Sequence, residues 1–144
     1  MPPLWLPLLL SAVPLFEGRY AIPLAILWGL PAPLAYLLCT CVNLAVIPAV
    51  LLGMGTVVPP LRRRWRWVGT LFRLMTRRRL RRRHFAALFT FVALPLPGTG
   101  AYTGTALAFL LGMRDGRTVA TLALGVITAN ALTALTAGGL SWLL

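Results

Sequence analysis

The chain has 144 residues, of which 59% are hydrophobic and 11% charged, with a mean hydropathy of +0.84. Soluble domains carry an apolar share of about 45–50%, so these fractions exclude a soluble globular protein and point to a single integral membrane domain. The net charge of +12 comes from fourteen arginines, with no lysine, set against Glu17 and Asp115 alone; with one histidine and two acids, neither a protein-built metal site nor a cofactor is expected.

Crossing the hydrocarbon core takes about 20 apolar residues as a helix. The N-terminus, Met1-Pro2-Pro3-Leu4-Trp5, lacks a basic n-region and a small-residue cleavage site, and does not read as a removable signal peptide. Leu4–Phe16 offers thirteen residues before Glu17-Gly18-Arg19 interrupts, and Tyr20–Leu30 offers eleven before Pro31-Ala32-Pro33. Leu34–Val58, with twenty-five, is long enough to cross. After the arginine block the pattern returns: Phe85–Leu94 and Ala101–Gly112 are short, and Thr118–Leu140 is long. Each short pair is expected to be a re-entrant helical hairpin with its tip near mid-membrane, followed by one transmembrane helix.

The halves also resemble one another. Pro14-Leu15, Tyr20 and the pentad Ala25–Gly29 (AILWG) have counterparts in Pro95-Leu96, Tyr102 and Ala108–Gly112 (AFLLG). Asn43 and Asn130 recur within the long segments. Internal repeats with broken helices are a recurring plan of transporters, with the site where the repeats meet.

Eleven of the arginines lie between Arg62 and Arg83. Arginine-rich loops stay in the cytoplasm, so this segment is expected inside, as a basic amphipathic linker lying on the anionic inner leaflet. Its mixture with Trp65, Trp67 and Phe72 also matches a nucleic-acid surface, but beside two membrane segments lipid is the more economical partner, and no nucleic acid is expected. The second hairpin would then enter from the cytoplasm and place Arg114 and Arg117 inside, whereas four full spans would put both outside. The first hairpin would enter from the opposite face, giving the two repeats inverted topology. Trp5, Trp28 and Trp142 fall at the outer interface, and Trp65 and Trp67 at the inner one.

The stretch Leu94–Gly104 cannot be one helix. Pro95 and Pro97 have no backbone donor, and Gly98, Gly100 and Gly104 accept dihedrals that other residues resist. Freed backbone groups are costly in lipid unless protein or water satisfies them, so such a break belongs beside a cavity that carries substrate or ion. The competing reading is a tight loop at the membrane surface.

Glu17 and Arg19 are the strongest single pointers. Charge inside a membrane costs at least about 2.5 kcal/mol and is functional by default. Two residues apart, the side chains diverge on a regular helix, so a non-helical tip is expected to turn both toward one cavity. Glu17 would carry a proton through a transport cycle; the alternative is a structural ion pair with Arg19. Exit helices starting near Tyr20 and Ala101 would aim two positive helix N-termini at the membrane centre. With Thr99, Tyr102, Thr103, Thr105 and Arg19 they offer chemistry for a phosphate or carboxylate, though each threonine can instead bond back to its own helix. Asn43 and Asn130 would line the cavity or bond helix to helix. His84 is a solvated interfacial side chain or a proton relay. Cys39 and Cys41 match no metal or CxxC spacing and are expected as unpaired thiols. Two small-residue stripes, Cys41–Ala45–Ala49–Gly53 and Gly125–Ala129–Thr133–Ala137, would pack the repeats together or build a homodimer.

Glu17-Gly18-Arg19-Tyr20-Ala21-Ile22-Pro23 and Phe91–Gly104, read as E-x-R-x-x-x-P and P-x-P-G-T-G-x-x-T-G, resemble the small multi-drug export protein family of prokaryotic membrane proteins. The resemblance covers most of the chain but not the arginine block. That family in turn looks distantly similar to the DedA superfamily, which has facing re-entrant hairpins and some of whose members are implicated in moving polyprenyl-phosphate or phospholipid carriers. The likeness implicates Glu17, Arg19 and the Pro97–Gly104 tip.

The expectation is therefore an all-α membrane protein: a first hairpin and transmembrane helix in 1–58, a cytoplasmic linker in 59–84, and a second hairpin and helix in 85–144. It would be a multi-pass transporter of the prokaryotic inner membrane, proton-coupled and not an enzyme, moving a small amphiphilic substrate. The candidate pathway is Glu17, Arg19, Tyr20, Asn43, Pro97, Gly98, Thr99, Gly100, Tyr102, Thr103, Gly104 and Asn130. The alternatives are a translocase of an anionic lipid carrier and a membrane scaffold that transports nothing.

Overall fold

The computed structural model describes residues 5–13, 16–64, 81–96 and 99–141, and those residues are entirely helical or irregular, with no strand. Six helices follow one another: α1 (Trp5–Ala12), α2 (Glu17–Leu27), α3 (Ala32–Arg64), α4 (Arg81–Ala93), α5 (Ala101–Leu110) and α6 (Gly116–Ser141). The order short, short, long occurs twice. α1, α2, α4 and α5 have 8, 11, 13 and 10 residues, all below the length of a crossing helix. Two stretches are long and apolar enough to cross a membrane, Ala32–Pro60 in α3 and Gly116–Gly139 in α6. Only 28% and 39% of their most apolar windows are buried inside the chain. The remainder turns side chains such as Leu52, Val57, Leu124 and Leu135 outward, which suits lipid rather than water.

Two helix ends explain the matching pentads. Gly29 (φ 92°) and Gly112 (φ 73°) take the left-handed conformation that only glycine adopts without strain. Around each, two backbone bonds close a Schellman motif. Gly29 N–H donates to Ile26 O (2.9 Å) and Leu30 N–H to Ala25 O (3.0 Å); Gly112 N–H donates to Phe109 O (3.0 Å) and Met113 N–H to Ala108 O (2.9 Å). The first and last residues of each pentad are thus the acceptor and the turn of one helix stop.

Three boundaries differ from the expectation. α3 does not end at Val58 but runs through Pro59 and Pro60 to Arg64, and α4 begins at Arg81 rather than Phe85. The expected linker 59–84 therefore opens and closes inside helices, and its stretch 65–80, with Trp65 and Trp67, lies outside the described residues. α2 starts at Glu17, not near Tyr20: Arg19 stands in its helical first turn, and only Glu17, with φ 44°, departs from helical backbone.

Packing is crosswise. α2 lies against both long helices, α5 packs chiefly on α3, α4 on α6, and α3 on α6. Val46, Ile47, Leu88, Val92, Ala101, Ala108, Leu122 and Val126 form the larger core, and Ala21, Ile22, Ala25, Ala35 and Cys39 the smaller. Val92 is wedged between two glycines: a Cβ on Gly104 would lie 2.3 Å, and one on Gly125 2.9 Å, from its side chain. Of the α6 stripe Gly125 makes this close approach, and Gly125, Ala129 and Thr133 are buried, whereas Cys41, Ala45, Ala49 and Gly53 of α3 all face outward.

Candidate functional site

The break between α4 and α5 leaves carbonyls free at the end of one helix and N–H groups free at the start of the next. Helix dipoles make the first end partly negative and the second partly positive. Two residues of α2 meet these ends with opposite charge. The Glu17 carboxylate accepts the Ala101 N–H at Oε2 and the Tyr102 N–H at Oε1, both at 3.1 Å. Gly100, the N-cap of α5, is pressed so close that an added Cβ would fall 1.3 Å from Oε2. Glu17 is only 6% exposed, and at φ 44° it holds a left-handed backbone that costs a non-glycine residue roughly 1–2 kcal/mol.

Arg19 serves the other end. Its Nη2 donates to Val92 O (2.9 Å), in the last turn of α4, and to Thr99 O (2.8 Å). Its Nη1 donates to Thr99 Oγ1 (2.5 Å) and to Leu96 O. The Thr99 hydroxyl reaches Leu94 O (2.9 Å) and Leu96 O (3.0 Å) in turn. Among the described residues Glu17 and Arg19 engage the break and close no contact ion pair with each other. The Tyr102 hydroxyl returns the favour, donating to the carbonyl of Ala12, the last residue of α1. A residue of α5 thus bonds the end of α1, as two residues of α2 bond the α4–α5 break.

A neutral polar layer lies behind Glu17. With the Asn43 amide oriented so that every group finds its complement, Nδ2 donates to Ser11 O (2.8 Å) and Ser11 Oγ (3.0 Å), and Oδ1 accepts Gly18 N–H (2.9 Å). Ser11 Oγ donates to Cys39 O (3.1 Å), and Asn130 Nδ2 to Thr40 Oγ1 (3.1 Å). Gly18 sits under both amides, where a Cβ would come within 2.5–2.8 Å of their atoms.

Of the residues expected on the pathway, the structure brings together Glu17, Arg19, Thr99, Gly100 and Tyr102, with Asn43 and Asn130 one layer away. Pro97 and Gly98 lie outside the described residues. Tyr20 stands apart, 44% exposed, with its ring edge-on to Phe16. Thr103 is exposed and its hydroxyl bonds back to Gly100 O (3.3 Å). Gly104 belongs to the packing around Val92. Thr105 is fully buried, and its Oγ1 has no partner among the described residues. Nothing is described of the His84 side chain. An apolar groove of about 330 Å³, lined by Ala32, Pro33, Tyr36, Ala131, Ala134 and Leu135, holds none of the expected residues. Among the described residues no three His, Cys, Asp or Glu gather as metal ligands.

Sequence reasoning missed Ser11, Gly18 and Thr40, and the carbonyls of Val92, Leu94 and Leu96. Gly18, between two charges, carried a usable signal, since glycine marks a close approach. The carbonyls carried none.

The two ends of this arrangement, Glu17 on one side and the long helix beyond Asn130 on the other, bound a family model described as "Putative small multi-drug export protein", which matches residues 17–132. The chain belongs to this family. Small multi-drug export implies a transporter-type role in a membrane, in line with the two long apolar helices. No curated protein and no solved structure matches the chain significantly.

Proposed function

We propose that this member of the small multi-drug export family is a proton-coupled exporter of small amphiphilic molecules in the prokaryotic inner membrane, with Glu17 as the proton-carrying group. α1–α2 and α4–α5 would be re-entrant pairs entering from opposite faces, with the arginine-rich end of α3 in the cytoplasm. One observation carries the reading: a buried carboxylate ties α2 to the first two N–H groups of α5. As an anion Glu17 accepts both bonds and complements the helix dipole. Once protonated it loses that complement, and the tie between the pairs loosens. A group that either holds the two pairs together or carries a proton couples proton movement to opening of the path between them.

The test is transport in proteoliposomes under an imposed pH gradient, with a fluorescent lipophilic cation as substrate. Wild type should move the cation against its gradient, and Glu17→Gln should lose gradient-driven transport while keeping downhill exchange. Undiminished gradient-driven transport by Glu17→Gln refutes the role given to Glu17.

A second reading, translocation of an anionic lipid carrier, draws support from the carboxylate-binding start of α5 beside Arg19. It requires Arg19→Ala to abolish movement of a lipid phosphate, and equal rates in wild type and variant dismiss it.

A further inference from the structure

The Arg19 guanidinium lies among four neutral acceptors, Val92 O, Leu96 O, Thr99 O and Thr99 Oγ1. We infer that this ring of oxygens is a binding site for the guanidinium or amidinium group of an exported molecule, occupied in the present conformation by the protein's own guanidinium. The inference rests on the export reading above and names the substrate class for it.

Three features point to an exchangeable site rather than a permanent brace. First, the ring contains acceptors only. It lies at the carbonyl end of α4, whose dipole favours a cation, and its oxygens engage four donors of one planar fork. Guanidinium and amidinium present such a fork; an ammonium group presents a compact tetrahedral set, and a quaternary ammonium presents no donor. Secondly, no carboxylate among the described residues contacts this guanidinium. Breaking a buried ion pair strands a charge, whereas emptying a ring of carbonyls strands only neutral groups that water can satisfy. Thirdly, Arg19 is half-buried, and its bond to Leu96 O lies at the exposed side of the ring. A long, flexible side chain can leave by that side while another cation enters.

Glu17 makes the exchange useful. It is near enough to the guanidinium to interact electrostatically, so its negative charge favours a bound cation and its protonation disfavours one. Proton and cation then oppose each other, as exchange of one for the other requires.

The experiment measures equilibrium binding of radiolabelled methylguanidinium to the full chain in lipid nanodiscs. Arg19 competes as a tethered ligand. If it fills the ring about nine-tenths of the time or more, removing it tightens apparent affinity by about tenfold or more. Arg19→Ala should therefore bind methylguanidinium at least that much more tightly than wild type. Adding Thr99→Val, which deletes one acceptor, should reverse most of the gain, and tetramethylammonium should not compete. Arg19→Lys, which keeps the charge but not the fork, serves if Arg19→Ala does not fold, and should also bind more tightly than wild type. Affinity equal to or weaker than wild type in the folded variant, or competition by tetramethylammonium as strong as by unlabelled methylguanidinium, overturns the inference. Binding as expected with no transport would sink the export reading alone, and proton-driven transport without such binding would sink the ring alone.

Discussion

Glu17 and Arg19, two residues apart on α2, hold opposite ends of one break in the chain: the acid takes the N–H groups that open α5, and the base takes Val92 O in the last turn of α4 with Leu96 O and Thr99 O beyond it. On a helix, residues i and i+2 diverge, and here the divergence is what lets one turn bracket a gap. Each charge meets the dipole end of opposite sign. Two ionised side chains inside an apolar protein thus find partners in backbone groups that would otherwise be stranded.

Gly100 is the residue that permits this. With a Cβ placed 1.3 Å from Glu17 Oε2, Gly100→Ala must expel the carboxylate and leave two N–H groups unpaired, a loss of about 1–3 kcal/mol for each. The variant should unfold at a clearly lower temperature in detergent. Gly53→Ala is the control: nothing lies within 4 Å of its added Cβ, and alanine is favoured in a helix interior by about 1 kcal/mol. An unchanged Tm for Gly100→Ala would contradict the close approach.

Gly18→Ala should be similarly damaging, because its Cβ would meet the Asn43 and Asn130 amides at 2.5–2.8 Å. Adding Asn130→Ala removes one of the two obstacles, so the double variant should be more stable than the sum of the single losses predicts. Chemical denaturation of the four proteins in a double-mutant cycle measures this, and strict additivity would argue against the shared contact.

The two tyrosines of the aligned segments should part company. Tyr102→Phe deletes the hydroxyl that satisfies Ala12 O and should cost about 0.5–1.5 kcal/mol. Tyr20→Phe removes an exposed hydroxyl and should stay within about 0.5 kcal/mol of wild type. Hydrogen exchange near the end of α1 should quicken in the first variant and not in the second.

Topology separates paired re-entrant helices from four full spans. In a chain carrying Cys39→Ser and Cys41→Ser, single cysteines at Gly116 and Pro31 should label from opposite sides, with Gly116 on the side of the arginine segment. Labelling of Gly116 from the outer face in intact cells would favour four spans.

Much of the architecture was legible in one dimension. Segment length against bilayer thickness and the Pro–Gly break before Ala101 depend on local backbone chemistry, so order and approximate ends could be read directly. Glu17 and Arg19 stood out because they are charges set between two apolar runs, away from the arginine block. Tertiary structure alone decided what they touch. Their partners lie 73 to 85 residues away and, the Thr99 hydroxyl apart, are main-chain groups; every residue carries a C=O and every non-proline residue an N–H, so no side-chain pattern could name Val92, Leu96 or Ala101. Likewise only packing could turn the α6 stripe inward and the α3 stripe outward, because two sequences of equal smallness differ in nothing until a neighbouring helix covers one of them.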